Sequence, residues 1–292
     1  MSTYKRKLLQ TLLISIGLVF SLQALAFDSR SCSLKELQLT NPEFHKKSFS
    51  VHFTRYGDKR DSSKSILILP PTGGATILDR SYARNFCAAG FDVYLIQFWT
   101  DMDSHSDELQ FHQQLYERAQ QALTLIIHPI NSPFVGLLGT SVGGIQAAQS
   151  ASLQERLSSV FVIVGGAPVA AITVDSDQKA MQDLKSRRFQ IFHFHSREEY
   201  LKALESEIKM DPFKLPQEFK TKDLGMIIGT EDSTVPTAQQ LALKELWQAR
   251  TVLEFPNGHL TTILKAWWYR KKILEFFEES YDRFIQKQNE KK

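Results

Sequence analysis

The run Pro133-Phe134-Val135-Gly136-Leu137-Leu138-Gly139-Thr140-Ser141-Val142-Gly143-Gly144-Ile145-Gln146-Ala147-Ala148 changes character at its centre. Its first six residues are apolar and read as a buried strand. From Ile145 onward the residues are small and helix-compatible. Between the two halves lies G-x-S-x-G, which suits a sharp strand-to-helix turn that presents a nucleophile. Such a turn holds its serine in a backbone conformation that most residues avoid, and it needs close approach of the flanking chains. Gly139 and Gly143 remove the side chains that would block that approach. The Ser141 hydroxyl is then exposed above the sheet. The Val142 amide, at a helix N-terminus, is free to form half of an oxyanion hole. Taken alone, the pentapeptide suits a tight turn without chemistry equally well.

The order of possible partners along the chain changes that balance. A serine nucleophile needs a base to take its proton and an acid to orient the base. In folds with this turn they follow in the order Ser, Asp or Glu, His. Leu224-Gly225-Met226-Ile227-Ile228-Gly229 reads as a second buried strand, and it opens into Thr230-Glu231-Asp232-Ser233-Thr234-Val235-Pro236. Thr251-Val252-Leu253-Glu254-Phe255 is a further strand, ending in Pro256-Asn257-Gly258-His259. Nucleophile, carboxylate and histidine thus fall in the required order, each at the end of its own strand.

On these marks the chain resembles the α/β-hydrolase superfamily from about Ser48 to Phe284. Gly229-Thr230-Glu231-Asp232-Ser233-Thr234-Val235-Pro236 is similar to that family's G-x-x-D-x-x-V-P loop. The resemblance implies Ser141 as nucleophile, His259 as base and Asp232 as orienting acid, with the neighbouring Glu231 as the alternative. It also implies a second oxyanion donor from the loop after an earlier strand. Ser65-Ile66-Leu67-Ile68-Leu69 is that strand, followed by Pro70-Pro71-Thr72-Gly73-Gly74. Many relatives carry His-Gly here, so Pro70-Pro71 is a departure. Neither proline has an N–H. The donor is therefore Thr72, Gly73 or Gly74, and alignment on the trailing Gly-Gly favours Thr72.

Hydrophobic residues at 42% and charged residues at 23% over 292 positions fit one large globular α/β domain. The formal charge of +3 comes from Lys5, Arg6 and Lys7. Removing these three from the 35 basic residues leaves 32, equal to the 32 acidic residues. A formally neutral remainder gives no reason to expect nucleic acid. The same basic triplet, the mostly apolar stretch Leu8–Leu22 and Ala24-Leu25-Ala26 read as a secretory signal peptide over residues 1–26. An uncleaved anchor is the rival reading, but Gln10, Thr11 and Ser15 interrupt a run already short for a span. Cleavage after Ala26 leaves residues 27–292 as an exported hydrolase domain, periplasmic or secreted, with no stable membrane span. Export permits a disulfide between Cys32 and Cys87, whereas a buried free thiol at Cys87 is the alternative.

The rest of the chain alternates strands and helices. Ser50–Thr54 is an early strand, expected antiparallel at the edge. A helix Asp79–Ala89 stops at Gly90, and Asp92–Phe98 is the next strand. A long helix spans about Asp107 to Ile127, and Ser159–Val164 is the strand after the turn helix. This pattern predicts a doubly wound, mostly parallel sheet covered on both faces. Nearly sixty residues between Val164 and Asp223 exceed a single crossover. Helical patterns at Ala170–Arg188 and Ser196–Met210 suggest a helical cap insertion at about 170–220, either a lid over Ser141 or plain surface helices.

Other prominent groups carry less. His193 and His195, two apart near Glu198 and Glu199, lack the further ligand a tetrahedral metal site needs. Asp101-Met102-Asp103-Ser104-His105-Ser106-Asp107 lacks the glycine and the bidentate glutamate of a calcium loop, and is expected to line the site's rim. Leu264, Trp267, Leu274, Phe277, Tyr281 and Phe284 form a stripe on the last helix, expected to pack on the sheet. The combined expectation is a serine hydrolase acting on a small-molecule ester or related acyl bond, with no metal or organic cofactor. A peptidase or thioesterase with the same triad, and a non-catalytic binding protein on the same scaffold, are the alternatives.

Overall fold

A computed structural model describes residues 32, 34–41, 49–57, 62–99 and 107–290. The signal-peptide reading at 1–26 and the rim reading at 101–106 lie outside the described residues. All elements below belong to the unit Ser33–Lys292.

The sheet has eight strands in the order β1-β2-β4-β3-β5-β6-β7-β8. These are β1 (Leu34–Asn41), β2 (Phe49–Tyr56), β3 (Lys64–Leu69), β4 (Asp92–Trp99), β5 (Phe134–Thr140), β6 (Ser159–Ile163), β7 (Asp223–Gly229) and β8 (Thr251–Phe255). β2 runs antiparallel to both neighbours, and the six from β4 to β8 are parallel. The early strand is therefore antiparallel but not at the edge, because β1 covers its outer side. The central strands β3, β5 and β6 are almost wholly buried, which is why their sequences are continuous apolar runs.

The helices are α1 (Ile77–Ala88), α2 (Phe111–Ile127), α3 (Val142–Leu153), α4 (Val169–Asp175), α5 (Lys179–Phe192), α6 (Arg197–Glu207), α7 (Thr237–Trp247), α8 (His259–Trp268) and α9 (Arg270–Asn289). One face of the sheet packs Leu123 and Ile126 of α2, Ala147 and Ala151 of α3, and Leu243 and Trp247 of α7 against Leu67, Leu137, Val160 and Met226. On the other face Phe276 and Phe277 of α9 meet Phe161 edge-on or tilted, and Phe86 of α1 meets Phe277 edge-on. A Cβ at Gly136 would run into Phe277, and one at Gly225 into Phe161 and Phe276, so these strand glycines make room for the rings.

Three helical readings are corrected. The last helix is two, α8 and α9, meeting at Tyr269. The stripe nevertheless packs as expected at most of its positions: Trp267 and Phe277 are buried, and Tyr281 and Phe284 meet Phe134 of β5 edge-on, joined by the buried Ile273 and Phe276, whereas Leu264 is 48% exposed. The expected single helix Ala170–Arg188 is also two, α4 and α5, separated by Ser176-Asp177-Gln178. α2 starts at Phe111 rather than Asp107. Neither Cys32 nor Cys87 is a free thiol; both are disulfide-bonded.

Candidate active site

The strand order brings the site together. β3 and β5 are neighbours, and Leu69 pairs with Gly139, so the loops that leave them stand side by side. This is the switch point of the sheet, where chains depart to opposite faces and leave a crevice at the strand ends. Ser141 follows β5 and precedes α3 with φ 57° and ψ −119°, a left-handed conformation unusual for serine. Its own amide donates to the Ile163 carbonyl at 2.9 Å, and its carbonyl accepts from Ile145 at 3.0 Å. A Cβ on Gly143 would collide with the carbonyl oxygens of Leu69 and Pro70. One on Gly139 would collide with Gly143 and Ala147. Both glycines are thus required by backbone contact.

Ser141 Oγ lies 2.9 Å from His259 Nε2. His259 Nδ1 lies 2.7 Å from Asp232 Oδ2. His259 opens α8, just beyond the end of β8, and the Asp232 side chain is fully buried. Four donors converge on that carboxylate. Oδ1 accepts from the amides of Thr234 (2.9 Å) and Val235 (3.0 Å). Oδ2 accepts from Gln240 Nε2 (2.8 Å) and from the imidazole. Glu231 is exposed and joins only through its backbone, donating to the Asn257 carbonyl at 3.3 Å. Of the two adjacent carboxylates, it is Asp232 that meets the histidine.

The loop after β3 is held at both ends. The Ala75 amide donates to the Gln97 carbonyl at 2.7 Å, and Thr76 forms a capping box with Asp79 at the start of α1. The Gly74 amide closes a turn on the Pro71 carbonyl at 3.2 Å, which takes it out of contention as an oxyanion donor. Thr72 and Gly73 remain, and both line the cavity in which Ser141 and Val142 sit.

That cavity is about 460 Å³. It is lined by Ser141, Val142, Ile145 and Gln146 and by Phe111, His112, Leu115 and Tyr116 of α2. The insertion contributes Ile172, Thr173, Ser176, Gln178, Ala180 and Met181 to the lining. Polar anchors hold these helices down. Asp177 accepts from the hydroxyls of Ser233 (2.5 Å) and Thr234 (2.8 Å) on the loop that carries Asp232. The fully buried Arg188 of α5 donates to the carbonyls of Asp107 and Glu108 and to the Tyr200 hydroxyl. The insertion therefore caps the Ser141 cavity and is tied to the acid loop.

A serine oxygen, an imidazole and a buried carboxylate in this sequence can generate an alkoxide-like nucleophile beside amides that receive an oxyanion. A sequence model of the FSH1 serine hydrolase family matches residues 93–268, more than half of the chain. The chain belongs to the FSH1 serine hydrolase family. Solved α/β-hydrolase structures show the same fold as this FSH1 serine hydrolase. Acetyl xylan esterase 1 from Thermoanaerobacterium sp. JW/SL YS485 superposes with a TM-score of 0.65 at 18% identity, covering 88% of this chain and 86% of that one. The Pyrococcus furiosus esterase Pf2001 gives 0.54 at 14%, covering 85% and 93%. The Pyrococcus horikoshii acylaminoacyl peptidase gives 0.61 at 11%; 90% of this chain aligns, and it spans 43% of the peptidase. No curated protein matches by sequence.

Sequence reading passed over several residues of this hydrolase's site. Gln240 is fully buried and bridges Asp232 Oδ2, the Val235 carbonyl and the Gly229 amide. Its signal was a polar residue at the buried phase of a helix, shared with Leu243 and Trp247. Asp177, His112 and Gln146 left no motif at all. Among the described residues no group of three metal-ligating side chains comes together, and His193 and His195 sit at the exposed turn between α5 and α6. No helix among the described residues is long and apolar enough to cross a membrane.

Proposed function

We propose that this serine hydrolase is exported and cleaves carboxylic esters or closely related acyl bonds through Ser141, His259 and Asp232. The observation that carries this reading is the unbroken relay from Ser141 Oγ to His259 Nε2 (2.9 Å) and from His259 Nδ1 to Asp232 Oδ2 (2.7 Å). His259 removes the hydroxyl proton as Ser141 attacks the carbonyl carbon. Asp232 holds the imidazole with its proton on Nδ1 and stabilises the cation that forms. The Val142 amide and the Thr72 amide receive the oxyanion, each contributing about a hundredfold or more in rate. The leaving group departs with the proton from His259, and a water activated by the same imidazole then releases the acid.

The predominantly apolar lining by Leu115, Ile145, Ile172 and Met181 supports an acyl chain as the group accommodated beside Ser141. Export is supported by the basic-then-apolar character of residues 1–26 and by the absence of a free thiol at Cys32 and Cys87. The test is hydrolysis of p-nitrophenyl esters of increasing chain length by the purified protein. Turnover that Ser141→Ala and His259→Ala both reduce by at least about a thousandfold supports the assignment. Turnover that survives either change contradicts it. Amino-terminal sequencing of protein recovered from producing cells tests export, with Phe27 as the expected first residue.

A further inference from the structure

Helix α8 is apolar on both of its sides. Thr262, Ala266 and Trp267 are buried against the body of the protein, and a surface helix of this kind ordinarily turns polar residues outward. Here Leu260, Leu264 and Trp268 follow one another at four-residue spacing on a single outer face. Leu260 is 74% exposed and Trp268 67%. Tyr269, where α8 meets α9, is exposed as well. The neighbouring α1 adds Ile77, which is 64% exposed. Trp267 Nε1 donates to Ser81 Oγ at 3.0 Å and fixes α1 against α8, and Ile77 stands one turn before Ser81. No other stretch of this length among the described residues exposes as many large apolar side chains.

The charges around this face are predominantly positive. α8 holds no acidic residue, and α9 opens with Arg270-Lys271-Lys272. The Arg270 guanidinium stacks over the Trp267 ring at 4.5 Å, which sets it beside the apolar side chains. Lys271 is exposed, and the exposed charged positions of α1 are Arg80 and Arg84. The nearby carboxylates do not cancel these cations. Glu275 is bound to Lys272 at 2.7 Å, Asp79 is buried in the capping box of α1, and Glu231 stands at the opposite end of α8, where its amide donates to the Asn257 carbonyl. A second copy of the chain is a poor occupant, because a two-fold contact would set the cations against their own counterparts. An anionic lipid surface suits both features at once. Its acyl boundary takes leucine and tryptophan side chains, its headgroup level takes amphipathic rings such as Trp268 and Tyr269, and its phosphates attract lysine and arginine.

We propose that the outer face of α8, with Ile77 and the start of α9, is a docking surface for an anionic phospholipid membrane. Leu260, Leu264 and Trp268 enter the boundary between headgroups and acyl chains, while Arg270 and Lys271 meet the phosphates. The contact is peripheral: α8 lies in the plane of the surface and does not cross it. Leu260 directly follows His259, so docking brings the lipid surface to the edge of the Ser141 site.

The experiment is co-sedimentation of the protein, purified from producing cells, with phosphatidylcholine vesicles that contain or lack phosphatidylglycerol. Binding is read without turnover, so it stands or falls separately from the assignment of Ser141. The expected result is association with the phosphatidylglycerol vesicles that weakens at high salt. Leu260→Ser combined with Trp268→Ser should lower the partition coefficient by at least about tenfold, and Lys271→Gln by about fivefold. Thermal melting verifies that the variants are folded, as changes at exposed positions ordinarily are. Leu260→Ser alone serves if the paired variant is not. No association, equal association with pure phosphatidylcholine, or association that survives the paired change overturns the docking surface. Self-association without vesicles that the paired change abolishes also overturns it, in favour of a second copy on this face.

Discussion

Gln240 Nε2 donates to Asp232 Oδ2 at 2.8 Å, the same oxygen that lies 2.7 Å from His259 Nδ1. The carboxylate that orients the imidazole is thus itself held by a buried amide, whose oxygen accepts from the Gly229 amide at the end of β7. One side chain ties the strand end, the acid and the helix α7 into a unit. The aim of the Asp232 carboxylate at His259 therefore depends on a residue that never reaches substrate.

Gln240→Leu should lower both stability and turnover. A hydrogen bond to a charged group contributes about 1.5–3 kcal/mol. If that is lost from the orientation of Asp232, kcat falls by about ten- to a hundredfold. KM should change little, because Gln240 is not among the cavity residues. Urea melts and steady-state kinetics on one ester read both effects.

The adjacent carboxylates separate cleanly. Asp232→Asn keeps the shape but presents a donor to Nδ1, favouring the wrong tautomer, and should cost about ten-thousandfold in kcat. Glu231→Gln alters an exposed side chain and should leave kcat within about twofold. Equal losses in the two variants would reassign the acid.

Gly143→Ala forces a methyl group against the Leu69 and Pro70 carbonyl oxygens, which belong to the central strand and the loop after it. Main chain cannot rotate away as a side chain can. The expected cost is about 1–3 kcal/mol or more, together with loss of activity as the turn is pushed off β3. A thermal melt and an ester assay check it; a variant as stable and active as the parent would show that the turn has slack.

How much of this could be read in the sequence varies with the physics of each part. The parallel strands were legible because burial on both faces makes them continuous apolar runs bounded by turn residues. The residues brought together at the site were legible because the fold places them at successive strand ends in a fixed order. β1 was not: Leu34-Lys35-Glu36-Leu37-Gln38-Leu39 alternates only in part, and nothing local shows that it pairs with β2. The break between α8 and α9 falls at Tyr269 with neither Gly nor Pro to mark it, so the two helices read as one, although Phe277, Tyr281 and Phe284 of the stripe do pack on the sheet. The break between α4 and α5 did have a signal in Asp175-Ser176-Asp177. Gln240 and Asp177 matter through tertiary contacts that no spacing reports.

Asp177 provides a pH test of the tie between cap and acid loop. The Ser233 and Thr234 hydroxyls that it accepts from, with a smaller contribution from His259, hold its pKa below the ordinary 3.8. A carboxylate depressed in the folded state contributes stability that is fully present above the ordinary value and lost as pH falls through its own lower value. Parent and Asp177→Asn should therefore differ by a constant amount in urea midpoint between pH 5 and 7. The gap should narrow below pH 4. A gap that does not depend on pH would contradict the charge-assisted tie. Asp177 is exposed, so the difference is expected to be small.

The central claim is that Ser141 is an activated nucleophile, and its most direct measurement is fluorophosphonate labelling followed by peptide mass spectrometry. One label per chain, on the peptide containing Ser141 and abolished in both Ser141→Ala and His259→Ala, is the predicted result. A folded protein that takes no label, or takes it at another serine, would contradict the account.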